Sequence, residues 1–475
     1  MKRISTIAKQ AFPLFLCLML ALTLWAPARA ASGTDYKPIL EATLANIRNT
    51  VTDPVNDSYG GEWAVLALAR GGVEDDAWYG KYLENLFPVV DGCNGALHGE
   101  VKYTEYSRTI IGLSSIGQDA TKLNTGNKVY DLVSPLTKKQ SNGEYWASYQ
   151  GNNGTIFAII ALDTQNYINT ATGRQVRAGL IDALLDAQDS SGGWGHSSPV
   201  PDVDTTAMAL QALAPYYLSQ TKYDALGASH SYTNLKNAVS KALSYLKNVQ
   251  AVTDGVIDYG SVEASAQVVV ALAALNRDAA KDALLGDVLS SVLDYYNGSG
   301  GFVHDHTGGT ANNQMSTEQA AYSLVAYDRW KNGNSSLYDM TDRGAVSAIS
   351  FDAPSDATVT QTATGRFTVS CATPCVAVVQ NADKSYTALT PEGAGNTRSF
   401  HTVHASVTVV ILGDANGDGK FDGSDITRAK AAYLGKTALD EVHRLAMDAN
   451  RDQKFEGSDI TRAKAAYLGK TSLDW

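Results

Sequence analysis

Oxygen-bearing side chains recur at alternate positions near the end of the chain, and that spacing suits a hard cation. Asp414, Asn416, Asp418, Asp422 and Asp425 stand at places 1, 3, 5, 9 and 12 of a twelve-residue stretch. Gly419 is at place 6, where the chain must turn sharply, and the Lys420 carbonyl supplies place 7. The set returns as Asp448, Asn450, Asp452, Lys454, Glu456 and Asp459. Across the paired stretches 414–437 and 448–471, only Gly417/Arg451, Gly419/Gln453 and Asp422/Glu456 differ. Two calcium ions are therefore expected. Gln453 puts a side chain where positive φ is needed, a cost of roughly 1 kcal/mol, so the second loop is expected to bind more weakly.

A second set of carboxylates is spread through the middle of the chain. Six segments rich in alanine and aliphatic residues begin at Glu62, Glu105, Asn153, Asp204, Glu263 and Glu318, so five of the six carry an acid at the same register position. Two such carboxylates facing each other at roughly 5 to 9 Å can cleave a glycosidic bond. One held neutral by burial and a neighbouring acid, as Asp202 would act on Asp204, can protonate an alkene. An acid in a first helical turn also simply complements the helix dipole, and that position predicts a lowered pKa for Asp204. Glycine-aromatic turns bring Trp63 and Trp194 close to these acids and make them, with Glu62 and Glu105, candidate ligand contacts. His196, His304 and His306 are further candidate bases or ligands, and each also reads as an ordinary loop histidine.

The elements that position the acids follow from periodicity. The six segments, five of them acid-headed, are apolar on nearly every side and read as inner helices. Amphipathic stretches lie between them at Tyr36–Val51, Ala77–Leu86, Val129–Gln140, Arg174–Ala187, Asn234–Gln250 and Ala280–Tyr296. Six inner and six outer helices predict a mainly α, α6/α6 toroid over residues 32–346. Residues 351–412 change to Thr, Val, Ser and Ala with strand alternation and read as a small all-β, sandwich-like module. Residues 413–475 hold the two loops, each followed by one helix and closed by Gly435 or Gly469.

The start of the chain reads as a secretory signal peptide over residues 1–30. Lys2, Arg3 and Lys9 precede the apolar run from Ala11 to Trp25, and Ala28-Arg29-Ala30 offers a cleavage site. Removing that segment takes away four basic residues and no acid, so the formal charge goes from −11 to −15. An acidic exported protein argues against nucleic acid or anionic membrane as partner, and no further stretch is long enough to span a bilayer. Export favours a disulfide between Cys371 and Cys375, with a zinc site involving His401 and His404 as the alternative. Cys93 reads as a buried small side chain.

The duplicated loop-helix segment resembles the type I dockerin domain of cellulosome-like assemblies. The resemblance implies secretion, calcium-dependent folding and a cohesin domain of a scaffold protein as partner. Family contact positions fall on Gly423, Ser424, Lys430 and Ala431, and in the copy on Gly457, Ser458, Lys464 and Ala465, which implies two usable faces. In the middle domain, Gln188-Asp-Ser-Ser-Gly192-Gly-Trp194 is similar to the QW repeat of squalene-hopene cyclases. Asp202-Val-Asp204-Thr-Thr-Ala resembles their Asp-x-Asp-Asp-Thr-Ala motif with Thr205 in place of the third aspartate. That resemblance casts Asp204 as acid and Asp202 as its partner. Protein prenyltransferase β subunits share the toroid, but their Asp-x-Cys zinc motif is missing here. Vitamin-binding transport proteins carry the toroid without catalysis, and many glycan lyases and hydrolases use it with catalysis. The expectation is thus a docked, secreted module that binds carbohydrate or an apolar small molecule. The alternatives are a polysaccharide-active enzyme, in which Glu263 and Glu318 join the catalytic candidates, and a cyclase-like enzyme acting through Asp204.

Overall fold

The computed structural model describes residues 35–473 except 197, 198, 254, 308 and 310, so the expected leader lies outside the described residues. The described chain is mixed helical and sheet, with fifteen α-helices and four small separate sheets. No described helix is long and apolar enough to cross a membrane.

The helical part comprises α1 (Tyr36–Thr50), α2 (Glu62–Arg70), α3 (Asp76–Gly92), α4 (Tyr103–Ser115), α5 (Gly151–Thr164), α6 (Ala171–Asp186), α7 (Val203–Tyr217), α8 (Gln220–Asp224), α9 (Tyr232–Val249), α10 (Val262–Ala274), α11 (Val288–Leu293) and α12 (Gln314–Lys331). Helices α2, α4, α5, α7, α10 and α12 touch in that cyclic order, and α12 closes back on α2. These are the six acid-headed segments, apart from the asparagine at the start of α5. Ala64 to Ala69, Ala207 to Ala214 and Val268 to Ala273 are almost wholly buried, as an inner position requires, with Met208 the partly exposed exception. Around them, α1 packs on α12 and α2, α6 on α5, α9 on α7, and α11 on α10.

Four of the six expected outer segments are helices of about the expected length. In α9, Leu235, Ala238, Val239, Ala242, Leu243 and Leu246 form the buried stripe, and Ser231 caps the start through a reciprocal bond with Asn234. The other two differ. Within 129–140 the chain makes a two-residue strand and one 3₁₀ turn, Ser134–Thr137, because Asp131 accepts the amides of Val133 and Ser134 and Pro135 follows at once. Within 280–296 only α11 is helical. Asp282 accepts the amides of Leu284 and Leu285 and pairs with Arg277, and Gly286 adopts positive φ, so the first half is a folded turn.

Short hairpins β1–β2 (Leu123–Asn124, Val129–Tyr130) and β3–β4 (Ala251–Thr253, Val256–Asp258) decorate the helical part. Seven further strands follow: β5 (Ser350–Asp352), β6 (Thr358–Ala363), β7 (Arg366–Ser370), β8 (Cys375–Gln380), β9 (Tyr386–Ala388), β10 (Thr397–His401) and β11 (Ser406–Ile411). They form a three-stranded sheet β10-β7-β6 and a four-stranded sheet β5-β11-β8-β9 in which only the β5–β11 pair is parallel. Phe367, Val369 and Phe400 of the first meet Ala377, Val379, Val407, Val409 and Ile411 of the second in one core.

The last segment holds α13 (Gly423–Tyr433), α14 (Glu441–Ala446) and α15 (Gly457–Tyr467), with α13 packed on α15 around Ala415, Ala429, Met447 and Ala463. It is seated directly on the sheet. Val376 and Val378, on the outer side of β8, pack with Leu412, Ala449 and Leu473, so β8 is covered on both faces.

Candidate functional site

The helix starts gather the acids at one end of the ring, where they are joined by hydrogen bonds and short-range charge. Arg108 of α4 bonds Glu62 at 3.0 Å and Glu105 at 2.5 Å. Glu62 is wholly buried and also accepts from Asn56 and from the Tyr82 hydroxyl, so it serves packing and not ligand contact as expected. Burial raises its pKa against the pull of Arg108. Gly112 leaves room for it, since a Cβ there would lie 2.8 Å from the Glu62 side chain. Glu105 is half-buried, with His98 at 3.7 Å from the same oxygen that Arg108 holds. It is taken up by Arg108 as well.

Glu318 of α12 is fully buried. It accepts from the Gly60 amide and from Gln314, and its second oxygen has no partner. Its pKa is pushed up to about 7, chiefly by burial and further by Glu62. Two residues earlier, Ser316 donates to Glu263 of α10 at 2.5 Å, and His304 meets the other Glu263 oxygen at 2.8 Å. Asp204 of α7 lies within the field of both Asp202 and Glu263. Burial first and Asp202 second raise its pKa to about 6. The lowered value anticipated from the helix dipole is thus corrected, because desolvation outweighs the free amides of the first turn.

Asp202 is the N-cap of α7. It accepts the Thr205 amide at 2.7 Å and the Thr205 hydroxyl at 3.0 Å, so the residue replacing the motif's third aspartate completes a cap. Trp194 is wholly buried, with its indole N–H on the Leu184 carbonyl at 2.7 Å, and Gln188 donates to the carbonyls of Gly192 and Ala238. These bonds tie the end of α6 to α9. Trp194 is therefore a clamp and not the ligand contact anticipated. Trp63 does face other aromatics, at 5.6 Å from Phe157 and 5.9 Å from Tyr322. His306 stacks on Tyr295 and pairs with Asp294 at 3.2 Å. The amide of His196 is bound by Asp202 at 3.1 Å.

Periodicity did not single out what lies below this rim. Gln211, Gln267, Gln319 and Tyr322 form a buried hydrogen-bonded layer across α7, α10 and α12. Beyond it, at the C-terminal ends of the inner helices, is a cavity of about 480 Å³. Ile160, Ala212, Val270, Ala273 and Tyr338 line it, with Lys222, Asp339 and Gln211 as polar contacts. The Gln211 carbonyl oxygen is buried without a partner. Small residues at these helix ends were the available sequence signal, since they leave the space open.

In the duplicated loops, place 1 and place 12 organise the backbone. Asp414 accepts the amides of Gly417 and Gly419, and Asp425 accepts those of Ala415, Asn416 and Asp422. The copy keeps part of this, Asp448 accepting from Asp452 and Gln453, and Asp459 from Asn450 and Glu456. Burial raises the pKa of Asp425 and of Asp448, with Asp414 and Asp459 respectively adding repulsion. Such convergence of carboxylates suits a cation. Gly419 has φ +77° and Gln453 φ +67°, so the second loop does place a side chain in the left-handed region. Asn416, Asp418, Lys420, Asp422 and their counterparts Asn450, Asp452, Lys454 and Glu456 keep to the exposed side of the loops, with Asn416 and Asn450 each bonding the aspartate two residues on.

Of the expected docking residues, Ser424, Lys430, Ser458 and Lys464 are exposed and Gly423, Ala431, Gly457 and Ala465 half-buried. Gly423 sits beside Tyr467 and Gly457 beside Tyr433, so each helix start abuts the other helix's end. Tyr433-Leu434 and Tyr467-Leu468, exposed by 52–56 %, extend these faces and were not picked out from sequence.

Cys371 and Cys375 are buried free thiols, which corrects the expected disulfide. The Cys375 thiol points back to the Thr373 carbonyl at 3.4 Å and that of Cys371 toward Asp356 at 3.9 Å. Burial and the neighbouring thiol push Cys375 well above the ordinary thiol range. The alternative zinc set is also undone, because His401 and His404 turn toward acids of α3. Cys93 is half-buried. No family model matches this chain and no curated protein matches it.

Proposed function

We propose that the chain is a secreted, type I dockerin-like protein that binds two calcium ions and docks on a cohesin domain of a scaffold, presenting an α6/α6 toroid as a ligand-binding module in polysaccharide degradation. The reading is supported above all by the near-identical loops, in both of which the first carboxylate accepts the place-6 amide and the twelfth accepts the amides of places 3 and 9. The closed order of α2, α4, α5, α7, α10 and α12 supports the toroid. A cavity of about 480 Å³ with mostly apolar walls falls within the range that encloses small ligands and favours binding as its role.

A second reading rests on its own observation. Asp204 near 6 and Glu318 near 7 are carboxyl groups that carry protons close to neutrality, as general acids must. Glycan cleavage or isoprenoid cyclisation would draw on Asp204, Asp202, Glu263 and Glu318.

One experiment separates the parts. The full chain is assayed for cohesin binding with calcium and with chelator, and for turnover of oligosaccharide and isoprenoid panels by wild type and Asp204→Asn. Calcium-dependent binding with both Ser424 and Ser458 needed to be replaced before it is lost supports two docking faces. Binding that persists in chelator overturns the docking reading, and Asp204-dependent turnover replaces the binding module by the enzyme.

A further inference from the structure

The junction between helix α3 and the β sandwich holds a polar cluster that neither the loops nor the ring explains. Glu84 projects from α3, His401 ends β10, and Glu392 lies in the loop after β9. Their ligand atoms all lie within 4.8 Å of one another, the only such trio of acid, histidine or cysteine side chains among the described residues. His401 is 6 % exposed, and its Nε2 is buried without a hydrogen-bond partner. That nitrogen points between the two carboxylates, 3.3 Å from Glu84 and 3.4 Å from Glu392.

These separations decide the chemistry. Bonds of about 2.0–2.2 Å in a tetrahedral site put neighbouring ligand atoms roughly 3.3–3.6 Å apart. Both edges from Nε2 fall in that range, and both are too long for good hydrogen bonds. One imidazole and two carboxylates form a borderline donor set suited to zinc and its neighbours more than to calcium.

The surroundings hold the imidazole and the backbone that carries the acids, whose side chains are exposed. Gly80, inside α3, faces the imidazole, and a Cβ there would lie 2.4 Å from His401. A glycine in a helix interior costs roughly 1 kcal/mol relative to alanine, so its presence here makes room for the ring. Glu392 is fixed by two backbone bonds with Ser399, at 2.9 and 3.1 Å. His401 is paired across the sheet with Arg366, whose guanidinium reaches the Glu84 oxygen at 3.4 Å from outside. That cation is half-exposed and serves as an outer partner to the carboxylate.

We propose that Glu84, Glu392 and His401 bind one divalent transition-metal ion of the zinc class, with solvent as fourth ligand, clipping the β sandwich to α3. The test is a titration of the full chain with Co²⁺ in excess Ca²⁺, which occupies any hard-cation loop, reading the intense visible absorption of four-coordinate cobalt. One equivalent is expected, displaced by Zn²⁺. Glu84→Gln and Glu392→Gln each weaken it at least 10-fold. Glu392 is half-exposed, so its replacement leaves the fold intact even where His401→Ala does not. Absence of the absorption, or absorption that is unchanged in both glutamine variants, overturns the site and leaves His401 as a packing contact between the two acids.

Discussion

Buried carboxyl groups set the behaviour of the ring's acidic end, and pH is the variable that exposes it. Asp204 and Glu318 have folded pKa values near 6 and 7, above the ordinary 3.8 and 4.5. Their burial is therefore tolerated in full below those ordinary values, and stability is lost as pH rises through the folded ones. At 1.36 kcal/mol per unit, the loss for Glu318 between pH 4 and pH 8 is about 3 kcal/mol. Glu318→Gln removes that titration and keeps an acceptor for Gly60. The stability difference between variant and wild type should consequently grow in favour of the variant by about 3 kcal/mol over that interval. Urea unfolding followed by far-ultraviolet circular dichroism at both pH values checks it, and a constant difference refutes it.

Trp194 shows how an element can imitate a binding site. A glycine-aromatic turn beside an acid has the composition of a ligand contact, yet this indole is sealed between α6 and α7 with its N–H on Leu184. Trp194→Ala should cost about 3–5 kcal/mol through the cavity and the stranded Leu184 carbonyl. Ligand affinity measured well below the melting midpoint should stay unchanged. Loss of affinity in a fully folded variant would return Trp194 to the site. In contrast, the 280–296 segment read as a helix by stripe alone, and a single carboxylate overrode it. Asp282 satisfies two successive amides and an arginine, which makes a turn cheaper than the first half of a helix.

At the scale of the molecule, the C-terminal segment is not carried on a linker. The Gly413 amide bonds the Ala446 carbonyl at 2.8 Å directly after β11, and Ala449 and Leu473 cover the outer face of β8. Removing residues 413–475 would expose Val376, Val378 and Leu412, an apolar patch on a four-stranded sheet. The truncated chain should melt at lower temperature and self-associate, as read by calorimetry and light scattering. A truncated chain that stays monomeric with an unchanged midpoint would mean that the two parts are independent. A docking face on this segment would therefore orient the whole helical ring relative to its partner.

The chain by itself determined whatever is written in local order. Acids and amides at alternate places, alanine-rich inner helices and β-branched strands each follow from spacing over a dozen residues, and the corresponding turns, helices and strands are where periodicity put them. Tertiary structure decided what depends on desolvation and on residues distant in sequence. The helix dipole at Asp204 is legible locally, but the burial that reverses its effect comes from packing α7 against α10. Cys371 and Cys375 are neighbours in space as well as in sequence and stand as free thiols, their sulfurs also within reach of Asp356 and the Thr373 carbonyl. Glu84, Glu392 and His401 span more than 300 residues, and only the closure of the sandwich onto α3 brings a buried imidazole between two carboxylates.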